Sequence, residues 1–307
     1  MAVSSTYPKF TPWLPWTDRA GRLVPLKALV FVAVCAPAVW MIVQWQGGML
    51  SPKPLTDMLR QSGDWAIRLL VATLLVTALR FTTKWNRWQM VRRMVGLAAL
   101  FYTLAHLFFY FWDEAFVWST ILREMVLRTY LSVGTAATIL MIVLGVTSND
   151  ASIRKLGAPA WQKLHWWMYP ITALSLLHYF MLTRLDASQP ALWSGFLAYF
   201  WGFRLLRHSR FGTGFVALVL LAIAAWVATM LLEAGYYALA TGADARLILP
   251  ANFDFSYQIR PAWWVLAGGL VLALVRAVRA GLEVRGESKK GAMVGRVTLP
   301  SGEGRSA

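Results

Sequence analysis

The chain has a single cysteine in 307 residues, Cys35. One thiol cannot close an intrachain disulfide, hold an iron–sulfur cluster or supply the C-x-x-C-H attachment of a c-type haem. Charge is also scarce. Asp, Glu, Lys and Arg make up 14% of the residues, against about a quarter in an ordinary soluble domain. Acid is scarcer still, with 14 Asp and Glu against 30 Lys and Arg. No G-x-G-x-x-G follows a strand pattern, and only a short polar tail follows the last apolar segment. A soluble nicotinamide-binding domain is therefore not expected, and any electrons would have to come from a partner. The apolar stretches do not alternate at ten-residue length, which excludes a transmembrane β-barrel.

What the sequence has in abundance is long apolar runs, with 58% of its residues hydrophobic. A helix crosses a bilayer with roughly 20 mainly apolar residues. Eight segments are read as spans, at 25–45, 65–81, 95–112, 127–146, 165–183, 191–206, 214–239 and 262–280. The expected fold class is all-α, a polytopic membrane helix bundle. The net charge of +16 gathers in alternate connections, the positive-inside pattern, and needs no nucleic acid to explain it. Arg80, Lys84, Arg87, Arg92 and Arg93 separate the second and third segments, whereas Asp113, Glu114 and Glu124 follow the third. Arg154, Lys155 and Lys163 precede the fifth, and Arg204, Arg207 and Arg210 follow the sixth. An even number of spans then puts both termini in the cytoplasm. The first run lacks a small-x-small cleavage site and is read as a retained span, not a signal peptide. Trp112, Trp118, Trp161, Trp166, Trp167, Trp263 and Trp264 flank span ends as an interfacial belt. Pro37 and Pro170 fall inside apolar segments and are expected to kink them. Four regions follow: a cytoplasmic lead at 1–24, a membrane core at 25–208, a two-span extension at 209–282 and a disordered polar tail at 283–307.

Three of the four histidines, His106, His165 and His178, lie in apolar segments. Lipid offers imidazole nitrogens no partner, so an intramembrane histidine is a candidate functional residue. His106 stands thirteen positions beyond Arg93, and His178 thirteen beyond His165, about 20 Å of helix in each case. His106 and His178 are therefore expected at one depth on separate helices, as the two axial ligands of a six-coordinate b-type haem. Such an iron carries electrons and leaves no position for oxygen. His165 marks a second, inner level opposite Arg93. Arg93 stays protonated and cannot ligate iron, so it is read as a partner for a haem propionate or a flavin phosphate. A second haem at His165 lacks an evident sixth ligand, and on one ideal helix His165 and His178 stand roughly 140° apart. A plainer reading stands beside each: a packing residue on a carbonyl, or, for His165 next to Trp166 and Trp167, an interfacial side chain. His208, among arginines, is read as unrelated. Arg68, taken as near the start of the second span, is read as snorkelling to the interface or as a cofactor contact. Glu233 is read as interfacial. Spans two to six show no mid-span Asp or Glu, which counts against a transporter.

These residues resemble one family. Gly63-Asp64-Trp65-Ala66-Ile67-Arg68-Leu69-Leu70 resembles the second span of the MsrQ family. So do Arg92-Arg93-Met94-Val95-Gly96-Leu97 leading to His106-Leu107, and Arg128-Thr129-Tyr130-Leu131. Trp161-Gln162-Lys163-Leu164-His165, then Tyr169 and His178-Tyr179, is the most specific stretch. The likeness covers about residues 25–208. It implies a six-span ferric-reductase-like core, here with two extra C-terminal spans, in the bacterial inner membrane. It implies b-type haem on His106, His165 and His178, one haem and room for a second, and FMN at a site no motif marks. Electrons are then expected from the quinone pool or a cytoplasmic flavin reductase. They are expected to pass to a periplasmic MsrP-type molybdopterin enzyme that repairs methionine sulfoxide in proteins. The chain would be an electron-transfer subunit, not the catalyst of that repair. Two other readings stay open: a stand-alone ferric or cupric reductase, and a non-redox transporter or membrane scaffold.

Overall fold

The computed structural model of the protein describes residues 14–18, 20–183, 186–256 and 258–297, and side chains beyond 283 only at 285. Much of the expected lead, and the end of the expected tail, lie outside the described residues. The described chain is helical apart from connections and one isolated bridge between Thr17 and Leu23. The helices are α1 (Pro25–Gln46), α2 (Pro54–Thr83), α3 (Trp88–Asp113), α4 (Trp118–Leu127), α5 (Thr129–Val146), α6 (Asp150–Leu156) and α7 (Ala158–Leu164). A 3₁₀ turn, His165–Trp167, leads into α8 (Met168–Leu182). Then come α9 (Ser188–His208), α10 (Phe215–Thr241), α11 (Ala245–Ala251) and α12 (Pro261–Val297).

Among the described residues, six helices are long and apolar enough to cross a membrane: α1, α2, α3, α5, α10 and the Pro261–Glu283 part of α12. The segments expected to span at 165–183 and 191–206 form helices that fall short of this. α8 has 15 residues, and α9 is diluted by Gln189, Arg204, Arg207 and several Trp, Tyr and Gly residues. Both pack into the bundle, where neighbouring helices take the place of lipid. α2 is apolar nearly all round, with Met58, Ile67, Leu70, Val71 and Leu74 among its buried residues, as a central helix must be. It is flanked by α3, α8, α9 and α12.

Several expectations change at this level. α2 begins at Pro54, eleven residues before the apolar run expected at 65. Asp64 and Arg68 therefore lie well inside a 30-residue helix. Arg68 is about 20 Å from either end at 1.5 Å per residue, too far to snorkel. Asp64 is an intramembrane acid that the shorter segment left out. Pro170 is the third residue of α8, where its missing N–H lacks an intrahelical partner anyway, so it kinks nothing. The chain bends just before it, in the 3₁₀ turn. His165 and His178 thus do not share one helix, and the 140° objection falls. Glu233 is fully buried in α10 and paired with Arg260 at 3.3 Å. The last helix continues to Val297, past the point where composition suggested disorder.

The two C-terminal helices join the core by close packing. A Cβ on Gly195 of α9 would collide with Thr229 and Val265, and one on Gly269 of α12 with Ala222 and Tyr199. Small residues let helix backbones approach where lipid gives no hydrophobic drive to associate. Tyr199 adds a buried hydrogen bond to the Gly269 carbonyl at 3.3 Å.

Candidate functional site

α3 and α8 bring His106 and His178 together, with ring centroids 6.4 Å apart and ring planes at 89°. Nδ1 of His106 lies 2.8 Å from the Leu59 carbonyl oxygen on α2. Nδ1 of His178 lies 2.7 Å from the Tyr130 carbonyl oxygen on α5. A carbonyl only accepts, so both Nδ1 atoms carry the proton and donate it, leaving a lone pair on each Nε2. An imidazole nitrogen lies about 1.2 Å from its ring centroid, and a metal–imidazole bond measures about 2.0–2.1 Å. Two imidazoles trans on one metal therefore place their centroids roughly 6.4 Å apart. Among the described residues no three His, Cys, Asp or Glu side chains gather to hold a bare ion. A haem iron needs only two protein ligands, because the ring supplies four nitrogens. The pair fits that group.

Two glycines make the hydrogen bonds possible. Gly63 follows Leu59 by four residues, and Gly134 follows Tyr130 by four. A Cβ at Gly63 would stand 2.8 Å from Nδ1 of His106, and one at Gly134 would stand 2.8 Å from Nδ1 of His178. A helical carbonyl at position i is flanked by the side chain at i+4; glycine there opens it to a second donor. The histidine follows its carbonyl by 47 residues in one case and 48 in the other. The same device is thus built twice, on α2–α3 and on α5–α8. Glycine in a helix interior gives up about 1 kcal/mol relative to alanine. That unfavourable choice was the signal in the sequence, and it went unread.

The level of His165 is different. Its Nδ1 is 3.0 Å from the Trp161 carbonyl, its Nε2 is 3.1 Å from Ser148 Oγ, and its ring stacks on Trp161 at 3.8 Å. Its Nδ1 meets a carbonyl as in the other two histidines, but its Nε2 meets the Ser148 hydroxyl, and among the described residues no second imidazole stands across from it. Arg93 turns to Asp150, with Nη2 2.8 Å from Oδ1, and both side chains are nearly half exposed. Arg92, its neighbour, enters the site instead. A cavity of about 230 Å³ opens between α2, α3, α7 and α9, lined by Arg80, Arg92, Arg204, Arg207, Gln89, Trp161, His165 and Trp166 among others. No acidic side chain lines it. Arg204 stacks on Trp166 at 3.8 Å, and Arg207 stacks on Phe81 at 3.9 Å. Arg80 is held by Gln89 at 2.7 Å and Asn86 at 3.2 Å. Arg204 Nε is buried with no hydrogen-bond partner among the described residues. Four guanidinium groups without a carboxylate call for an anion, and the aromatic walls suit a flat ring beside it. His208, exposed at the end of α9, bonds its own-helix Arg204 carbonyl at 2.8 Å and meets Arg207 Nη2 at 3.2 Å, behind the pocket and not in its lining.

Residues 62–176 match the family described as the ferric reductase like transmembrane component. The chain is 38% identical over 194 residues to the protein-methionine-sulfoxide reductase heme-binding subunit MsrQ of Rhodospirillum rubrum, an alignment covering 63% of this chain and 91% of the relative. The MsrQ of Xanthomonas campestris is 38% identical over 62% of this chain and 90% of its own length. That of Herminiimonas arsenicoxydans is 33% identical over 58% and 83%. No solved structure matches the chain.

Proposed function

The chain belongs to the MsrQ family, and on that premise we propose that it is a multi-pass electron conduit serving a periplasmic methionine sulfoxide reductase. The observation that carries the reading is the facing pair His106 and His178, with both Nδ1 protons turned away to carbonyls. A b-type haem held there supplies one-electron exchange between ferric and ferrous iron. His106 and His178 bind it, Leu59 and Tyr130 fix their tautomers, and Gly63 and Gly134 let the rings seat. With no third ligand to displace, the site hands on electrons instead of binding substrate.

The basic connections lie at the opposite end of α2 from the imidazole pair, so the positive-inside rule supports an orientation with the arginine pocket cytoplasmic and the histidine pair toward the periplasm. The membrane is then the bacterial inner membrane, with both termini in the cytoplasm and α10 and α12 as two added spans. We assign FMN to the arginine pocket: the Arg92, Arg204 and Arg207 in its lining support a phosphate there, and Trp161 and Trp166 support a flat ring. Its electrons come from quinol or from a cytoplasmic flavin reductase. The acceptor is an MsrP-type molybdopterin enzyme. It uses two electrons and two protons to turn a sulfoxide into a thioether and water, so the conduit must deliver twice per repair.

The test is to purify the protein with haem supplied during expression, record oxidised and dithionite-reduced spectra, and then add an MsrP-type enzyme with methionine sulfoxide. A sharp b-type reduced band, bleached on that addition, is expected. A colourless protein overturns the redox reading. A reduced protein that ignores the enzyme but is rapidly reoxidised by ferric chelates makes it a metal reductase instead.

A further inference from the structure

One polar cluster at the level of the imidazoles has no part in ligation. Tyr179, the residue after His178, donates its hydroxyl proton to Asp64 Oδ1 at 2.7 Å. Asp64 follows Gly63, the residue on which His106 rests. The other oxygen of Asp64 lies 3.9 Å from Arg68 Nη2, and Arg68 also sits over Trp65 at 4.7 Å. An acid and a base inside a spanning helix are costly, and side chains kept there against that cost are candidates for a role.

The geometry gives the role. α8 is tethered through consecutive residues: His178 to the Tyr130 carbonyl on α5, and Tyr179 to Asp64 on α2. Adjacent residues point about 100° apart around a helix, so two such tethers fix the rotation of α8 about its own axis, where either alone would let it swivel. α2 is held in the same way, by Gly63 and Leu59 against His106 on α3 and by Asp64 against α8. Thr103 on α3 reaches Met141 on α5 at 3.7 Å and closes the ring of four helices.

We propose that Asp64 and Tyr179 are positioning residues for the axial ligands: their hydrogen bond locks α8 against α2 and sets the two imidazole planes at right angles. The proposal rests on the haem reading above. Perpendicular axial planes bring two iron d orbitals close in energy and push the lowest-field line of the low-spin ferric EPR spectrum to large g. A swivel of α8 toward parallel planes moves that line to smaller g and shifts the midpoint potential.

The experiment uses the full chain, haem-loaded, as wild type, Tyr179→Phe, Asp64→Ala and Asp64→Asn. Haem per protein, the EPR spectrum and a redox titration are measured on each. In Tyr179→Phe and Asp64→Ala we expect bound haem with a reduced reduced-band sharpness, a lowest-field line at smaller g and a shifted potential. Asp64→Asn keeps an oxygen to accept from Tyr179, so its line should stay near the wild-type position. Unchanged g and potential in both Tyr179→Phe and Asp64→Ala overturn the proposal, as does a lowest-field line in Asp64→Asn shifted as far as in Asp64→Ala. A wild type without haem refutes the underlying reading instead, and the two failures cannot be confused.

Discussion

At one level of the bundle two imidazoles face each other, each with its Nδ1 proton given to a carbonyl on a neighbouring helix. At the other a single imidazole lies flat on Trp161, with both nitrogens spoken for, beside four arginines. The residue type is the same at both levels. The difference is made by what surrounds the rings. Carbonyls that only accept fix a tautomer that leaves Nε2 with a lone pair; at one level that nitrogen belongs to a pair of imidazoles, at the other it meets the Ser148 hydroxyl. The first arrangement suits a metal; the second makes His165 a wall of a cationic pocket.

The largest effect that sharpens this contrast comes from removing each ring. His178→Ala and His106→Ala are each expected to abolish the six-coordinate haem spectrum, because no other side chain offers a replacement nitrogen at that level. His165→Ala is expected to keep haem occupancy and spectrum while weakening flavin retention. Absorption spectra with pyridine haemochrome quantitation decide it. A His165→Ala protein that loses haem along with the other two would erase the difference between the levels.

A graded break comes from the glycines. Gly134→Ala brings a Cβ to 2.8 Å from Nδ1 of His178, so the ring or α5 must shift. Overpacking of this kind costs about 1–3 kcal/mol, while the helix itself gains roughly 0.5–1 kcal/mol from losing glycine. The first outweighs the second, so the haem-free protein should melt at or below the wild-type temperature, and haem occupancy should fall about fivefold or more. Gly63→Ala should behave alike through His106. Thermal melts with and without haem separate the two effects, and a Gly134→Ala protein with full haem occupancy would show that the close seat is dispensable.

Much of the outer level was legible in the sequence and little of the inner one. Counting helical rise from the basic loops pairs His106 with His178, because depth in a membrane is nearly a one-dimensional quantity. The start of α2 was missed because Pro54, Asp57 and Arg60 interrupt the apolar run. A helix can begin well before its lipid-matching stretch, and that hid Asp64 and misplaced Arg68. Arg93 was preferred over Arg92 because axial counting cannot resolve two adjacent residues that differ by about 100° in azimuth. The pocket itself is assembled from α2, α3, α7 and α9. Only tertiary packing brings Arg80, Arg92, Arg204 and Arg207 into one place, and no spacing along the chain announces it.

The inner level can be probed at Arg204, whose Nε is buried with no hydrogen-bond partner among the described residues while its guanidinium stacks on Trp166. A charge-assisted hydrogen bond is worth about 1.5–3 kcal/mol, so Arg204→Ala should weaken FMN binding roughly tenfold to a hundredfold. Riboflavin, which lacks the phosphate, should bind wild type and variant with nearly equal affinity. Flavin fluorescence titration of the two ligands reads this directly, and the reduced haem band should stay at its wild-type position. Equal losses for FMN and riboflavin would mean that Arg204 supports the ring and not the phosphate.

The smallest effect is expected at Arg93, the arginine singled out by depth alone. Its Nη2 pairs with Asp150 at 2.8 Å, but the two side chains are 43% and 46% exposed. Exposed ion pairs contribute less than about 1 kcal/mol, and Arg93 is not among the residues that line the cavity with Arg92. Arg93→Ala should therefore lower the melting temperature by a degree or two, and 0.5 M salt should remove most of the difference between variant and wild type. Arg92→Ala should instead reduce FMN affinity by an order of magnitude at any salt concentration that leaves the wild type loaded. If Arg93→Ala proves the more damaging of the two for FMN, α3 must be turned by about one residue from the orientation described, and the boundary of the pocket moves with it.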